Sequence, residues 1–229
     1  MTAPSNAFPV FVGYDSREDI AYRVARRSML DHATIPLNIQ PIEREYLREV
    51  GVYWRPDDPY SSTEFSFTRF LVPHLCGYEG WALFLDCDFL IRKDIAPLLQ
   101  YCDSSLAVAC VKHDYRPTET TKMDGQTQHP YPRKNWSSFM LFNCGHAESE
   151  RLTPEIVNTE SGMFLHQFKW CADEHLGRLP ITYNFLEGWY TANDEPDPAC
   201  VHFTRGGPWF AGYENVEYAD EWRAVAERV

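Results

Sequence analysis

The 229-residue chain has no C-x-x-C pair, no long apolar run, no surplus of positive charge and no internal repeat. Each absence excludes something. Its seven cysteines, Cys76, Cys87, Cys102, Cys110, Cys144, Cys171 and Cys200, are odd in number and scattered. That argues against a zinc knuckle or disulfide framework and for a reducing, cytoplasmic setting. Several lie inside apolar segments, where a thiol behaves as a small hydrophobe. No apolar stretch approaches the roughly 18–20 residues of a membrane span. The opening "MTAPSNAFPVFVG" carries no basic region ahead of an apolar segment, so no secretory leader is expected. A formal net charge of -12 argues against nucleic acid or an anionic membrane as a general partner. An anionic small ligand would then need local help: a metal ion, an arginine or backbone N–H groups.

What is present reads as alternating strands and helices. "PVFVGYD" (9–15) suits a buried strand ending at Gly13. The segment after it has apolar or small residues at 21, 24, 25, 28 and 29, which is helical spacing. "IPLNIQPI" (35–42) suits a second strand. This β-α-β opening points to an α/β protein with a mostly parallel, Rossmann-like central sheet flanked by helices. "SSTEFSFTRFLVPHL" (61–75) reads as a helix with a Ser61/Glu64 capping box, kinked or ended by Pro73. "GWALFLDCDFLI" reads as one central strand, followed by a short helix at "DIAPLLQY" and a strand at 105–111. Residues 112–134 are polar, with Pro, Gly and aromatics, and a loop of that length is expected to be functional. A strand at 136–145, helical pieces near 153–159 and 162–176, a short strand at "ACVHF" and a C-terminal helix complete the pattern. With no linker visible, residues 1–229 are assigned to one domain.

The unusual feature is "FLDCDFLIRKDI" (84–95), where Asp86 and Asp88 interrupt an apolar run. Asp is disfavoured in strands, and a buried carboxylate is costly unless paired. Residues i and i+2 of a strand face the same way, so both carboxylates would converge at the carboxyl edge of the sheet, where open α/β folds bind ligands. A divalent cation between them would relieve their repulsion and leave room for a diphosphate. His202, ending an apolar strand beside Arg205, Gly206 and Gly207, is the candidate third ligand. Carboxylates with imidazole favour Mn²⁺ over Ca²⁺, with Mg²⁺ as an alternative.

Taken together, "RFLVPHL", "WALFLDCDFLIRKDI", "FNCG" and "HFTRGGPW", in this order from about residue 9 to 210, resemble the retaining GT-A glycosyltransferases of the glycogenin and bacterial lipopolysaccharide-galactosyltransferase family. The resemblance implies that Gly13, Tyr14 and Asp15 hold the nucleoside, and that Asp86, Cys87 and Asp88 form the D-x-D motif. It further implies that Arg69 reaches the donor sugar, that Asn143, Cys144 and Gly145 line the sugar pocket, and that Asp86, Asp88 and His202 bind the metal. Two places depart from the family pattern. The Asp-Gln pair expected on a helix facing the sugar has its nearest match in Asp173-Glu174. The C-terminal motif is one residue shorter and lacks its lysine, leaving Arg205 and Gly206 for the diphosphate.

The expected activity is metal-dependent transfer of a hexosyl group from a nucleoside-diphosphate sugar, a UDP-sugar foremost, to an acceptor hydroxyl with retention. The acceptor would be a saccharide, a lipid-linked molecule or a small molecule. Asp173, Glu174 and Arg69 are the catalytic candidates. A carboxylate nucleophile would give double displacement; front-face attack is the other route. One competing reading is a nucleotide- and metal-binding module that has lost activity. The other is a sugar nucleotidyltransferase, which "VGYDSRED" disfavours because it has one Gly and more acid than base. Residues 112–134, with His113, Tyr115, Tyr131, Arg133 and Lys134, are expected to form a flap over the donor.

Overall fold

A computed structural model describes residues 6–58, 61–115 and 132–229. The centre of the expected flap, residues 116–131, lies outside them, Tyr131 included. The β-α-β opening is present as β1 (Phe8–Gly13), α1 (Asp19–His32) and β2 (Leu37–Ile42). Helix α1 buries Ala21, Val24, Ala25, Ser28 and Met29, the face its spacing predicts. The remaining helices are α2 (Arg44–Glu49), α3 (Val72–Leu75), α4 (Ala147–Glu150), α5 (Pro154–Thr159), α6 (Gly162–His166) and α7 (Ala219–Ala226).

The apolar run at 81–91 divides into two strands, β3 (Trp81–Leu85) and β4 (Phe89–Ile91). They belong to different sheets. With β5 (Val108–Cys110), β6 (Phe139–Asn143) and β7 (Leu176–Arg178), β3 completes a six-stranded sheet of order β2-β1-β3-β6-β5-β7. Only β6 runs against the others, so the sheet is mostly parallel and β3 is central, as its apolar character requires. With β8 (Phe185–Leu186) and β9 (Cys200–His202), β4 forms a second sheet of order β4-β9-β8. The carboxylates are therefore not on a strand at all: residues 86–88 are the crossing from one sheet to the other. The ladder bonds show the handover. Asp86 N still donates to Ser138 O at 2.9 Å beside β6, whereas Asp88 O accepts from Phe203 N at 2.9 Å just past β9.

The expected helix at 61–75 is also different. Turns lead into a 3₁₀ turn at Thr68–Leu71, and Pro73 sits in the first turn of α3 rather than ending a helix. The Ser61/Glu64 box does not form. Glu64 instead accepts from Ser16 Oγ at 2.8 Å, and its own N–H donates to Asp15 at 3.1 Å. Long-range partners outcompete the local cap.

Two apolar clusters hold the sheets. The larger packs Val10, Val12, Phe70, Leu83, Phe84, Leu141, Phe142 and Trp170, among others, around the six-stranded sheet. The smaller joins Val24 of α1, Leu90 of β4, Phe185 of β8, Val201 of β9, and Trp222 and Val225 of α7. Ser28 links α1 to the second sheet, since its Oγ accepts from Ile91 N at 3.1 Å and donates to Ala25 O at 3.0 Å. No described helix is long and apolar enough to cross a membrane.

Candidate active site

The sheet crossing brings Asp86, Asp88 and His202 together. One ligand atom from each lies within 4.8 Å of the others, the only such group of three or more His, Cys, Asp or Glu among the described residues. His202 gets there because β9 pairs antiparallel with β4, setting it opposite Phe89. Its ring stacks on Phe89 at a centroid separation of 4.4 Å and is almost fully buried. Its Nε2 faces Asp88 Oδ1 at 3.3 Å.

Arg69, buried in the 3₁₀ turn, donates from Nη1 to Asp86 Oδ1 at 2.7 Å and to Ser137 O at 3.0 Å. Its guanidinium lies over the Phe65 and Phe84 rings, 5.1 and 5.2 Å from their centroids. The arginine thus stabilises one carboxylate of the D-x-D and fixes its direction. Cys87 between the carboxylates is buried, and burial first, then the charges of Glu18, Asp88 and Asp86, push its thiol well up. It remains a neutral spacer in the core.

At the carboxyl end of β1, Gly13 has the Phe65 ring where a side chain would go: a Cβ there would come within 2.4 Å of it. Tyr14 donates its hydroxyl to Asp19 at 3.1 Å. Asp15 is fully buried. Burial alone would raise its pKa, but bonds from Arg17 Nε and Nη2 and from the backbone N–H groups of Arg17 and Glu64 outweigh it and lower the value. A cleft lined by Arg17, Arg44, Tyr53, Thr63, Glu64 and Phe67 opens at this edge. Arg205, past β9, directs Nη1 to Gly188 O at 3.2 Å, and Gly206 adopts φ +139 with the Tyr213 ring against it.

Two expected groups are not brought into the cluster. Asn143 ends β6, which runs antiparallel to β3, so it pairs with Trp81 at the start of β3. That is about 13 Å along the strand from Leu85, at roughly 3.3 Å per residue. Asn143 Nδ2 donates to Leu106 O, Cys144 is buried, and Gly145 lies against Tyr78 O. At the end of β6 that does meet the D-x-D stand Ser137 and Ser138, since Leu85 pairs with Phe139. Asp173 and Glu174 precede β7, whose first residue is level with Val108, Phe142 and Ala82, again the far end of the sheet. Both side chains are more than three-quarters exposed, and Asp173 pairs with Arg133 at 2.6 Å.

Three neighbours were not expected here: Glu18 and Asn184 were not singled out from the sequence, and His113 was expected only in the flap. Glu18 is buried, and burial, reinforced by the charges of Asp88 and Asp15, pushes its carboxyl up to about 8. It accepts from Trp209 Nε1 at 3.2 Å, tying the turn after β1 to the C-terminal segment. His113, after β5, is buried with Nδ1 2.9 Å from the Tyr190 hydroxyl; burial, then the charge of His202, pushes it down to about 3. Asn184, wholly buried, meets His202 Nδ1 at 2.9 Å. An asparagine inside the apolar "ITYNFL" was the one available hint.

The architecture is that of GT-A glycosyltransferases. The bifunctional glycosyltransferase WbbM superposes with a TM-score of 0.68 at 15% identity, over 99% of this chain and 50% of WbbM. GlyE of Streptococcus pneumoniae TIGR4 gives 0.63 at 18% identity, over 96% of this chain and 60% of GlyE. The galactosyltransferase LgtC, solved with donor and acceptor sugar analogues, gives 0.60 at 13% identity, over 97% of this chain and 96% of LgtC. The chain thus spans only half to three-fifths of the length of WbbM and GlyE. No family model matches it. In sequence, it is 53% identical over 219 residues to Protein CDI of Arabidopsis thaliana, covering 94% of this chain and 84% of that protein. The chain belongs to the same family as Protein CDI.

Proposed function

We propose that the chain is a metal-dependent glycosyltransferase that moves a hexosyl group from a nucleoside-diphosphate sugar, a UDP-sugar foremost, to an acceptor hydroxyl with retention. The observation that carries this reading is the convergence of Asp86, Asp88 and His202 where the two sheets cross. Two carboxylates and a buried imidazole this close call for a cation, and the mixed oxygen and nitrogen donors suit Mn²⁺ or Mg²⁺ better than Ca²⁺. The residues therefore fit the metal that the D-x-D resemblance implies. Such an ion supplies Lewis-acid charge against a departing diphosphate.

The chain's own residues do the remainder. Arg69 holds the Asp86 carboxylate in place, so the ligand set needs little reorganisation on binding. The β1 edge, Gly13 to Asp15 with the cleft by Arg17 and Tyr53, seats the nucleoside. Arg205 exchanges the Gly188 carbonyl for a phosphate oxygen, and Gly206 admits close approach of backbone. Ser137 and Ser138 replace Asn143–Gly145 as the β6 contribution to the sugar pocket. Since Asp173 and Glu174 stand at the other end of the sheet, front-face attack is the route to retention favoured here.

The placement of Asp173 and Glu174, with the missing lysine, favours one second reading: a module that binds metal and nucleotide but does not transfer. The test is donor turnover across a nucleotide-sugar panel with and without Mn²⁺, alongside calorimetric binding of each. Transfer or donor hydrolysis that Mn²⁺ restores after chelation supports the enzyme. Binding without turnover supports the module, and no binding of metal or nucleotide rejects both.

A further inference from the structure

We infer that Asn184 fixes the tautomer of His202, holding the proton on Nδ1 so that the Nε2 lone pair faces Asp88. The inference rests on the metal reading above for its purpose, but not for its geometry. Asn184 follows a 3₁₀ turn at Ile181–Tyr183 and directly precedes β8. It is wholly buried, so its amide must be satisfied by protein groups.

The direction of every bond in the network follows from one carbonyl. Asn135 O can only accept. Ser138 Oγ lies 2.7 Å from it and so gives it the one hydroxyl proton. Asn184 Nδ2 lies 2.9 Å from Ser138 Oγ and 3.4 Å from the same Asn135 carbonyl. The amide nitrogen must be on that side, because a flipped amide would set oxygen against carbonyl oxygen. Asn184 Oδ1 therefore faces His202 Nδ1 at 2.9 Å as an acceptor. Ser138 Oγ, 3.4 Å from the same nitrogen, has no proton left to offer it. Both neighbours of Nδ1 are acceptors, so Nδ1 carries hydrogen.

In the neutral ring the other nitrogen then presents its lone pair 3.3 Å from Asp88 Oδ1. Two lone pairs at that distance repel unless a cation, a metal ion or a proton, lies between them. A histidine that ligates through one ring nitrogen is commonly oriented by a hydrogen bond from the other, and loss of such a partner costs roughly 10- to 100-fold in metal affinity. Asn184 is a positioning residue on this reading, acting through His202.

The test uses the whole chain labelled with nitrogen-15 at its histidine rings, free of metal and at mildly alkaline pH, with His202→Gln to assign the signal. Long-range proton–nitrogen correlation should show wild-type His202 protonated at Nδ1 and bare at Nε2. Asn184→Leu should lose that preference, and its calorimetric affinity for Mn²⁺ should fall roughly 10- to 100-fold. A wild-type His202 protonated at Nε2 alone overturns the inference without needing any variant to fold. So does a folded Asn184→Leu with unchanged tautomer and affinity. A wild type with the Nδ1 proton that takes up no Mn²⁺ rejects the metal reading while upholding the tautomer assignment.

Discussion

At the sheet crossing Arg69 holds Asp86 and Asn184 holds His202, and the polar side chains there differ in what their removal does. Asp88→Ala removes a proposed metal ligand, and Asp88 is only partly buried, so its loss should leave the core intact. Transfer should become undetectable and the Mn²⁺-induced rise in melting temperature should vanish, with the metal-free melting temperature little changed. Arg69→Ala acts otherwise. It leaves the largely buried Asp86 carboxylate without its guanidinium, so destabilisation of about 3–5 kcal/mol in denaturant unfolding is expected for a broken buried pair. Glu18 gives a pH signature. Its pKa rises from 4.5 to about 8 on folding, so between those values the native state binds the extra proton. Stability of the metal-free protein therefore falls as pH rises through that window. Glu18→Gln keeps an acceptor for Trp209 and should abolish that slope, gaining a few kcal/mol over wild type above about pH 8, at about 1.4 kcal/mol per pKa unit.

Among the elements, β1 and the 3₁₀ turn at Thr68–Leu71 are linked through Phe65. The Phe65 ring fills the space where a Gly13 side chain would stand, and the Phe65 carbonyl accepts from Arg69 Nε at 3.4 Å. Gly13→Ala therefore displaces the ring and, through it, Arg69. Overpacking of this kind costs about 1–3 kcal/mol. Phe65→Leu in the same chain should recover part of that loss, and a double-mutant cycle on chemical unfolding would measure the coupling. Additive effects would show that the contact transmits nothing.

Across the whole molecule, the second sheet is the vulnerable half. Its strands have only two or three residues each, and its core is the small cluster closed by Trp222 and Val225 of α7. Trp222 stacks on Trp209 at 5.2 Å, and Trp209 in turn reaches Glu18. Trp222→Ala should cost about 3–5 kcal/mol, read by calorimetry. Because β9 carries His202, Mn²⁺ affinity should fall in the same variant. A cost near that of an ordinary surface substitution would show that α7 does not support this sheet.

The residues that announce the site were legible because they break a local rule: two aspartates in an apolar run and a histidine ending an apolar strand require an explanation from the sequence alone. The β-α-β opening was legible for a similar reason, since helical and strand periodicities are local. What the sequence could not decide is which ends of the strands meet. Asn143 and Asp173 sit in segments of the expected kind, yet β6 runs antiparallel and β7 starts level with Ala82, so both fall at the far end of the sheet. Strand direction is set by long-range pairing, which leaves no periodic trace. The split of residues 81–91 between two sheets, the diversion of Glu64 to Ser16, and the meeting of Asn184 with His202 are decided likewise by partners 18 or more residues away. Local pattern determined which side chains needed a partner; only packing determined which partner each received.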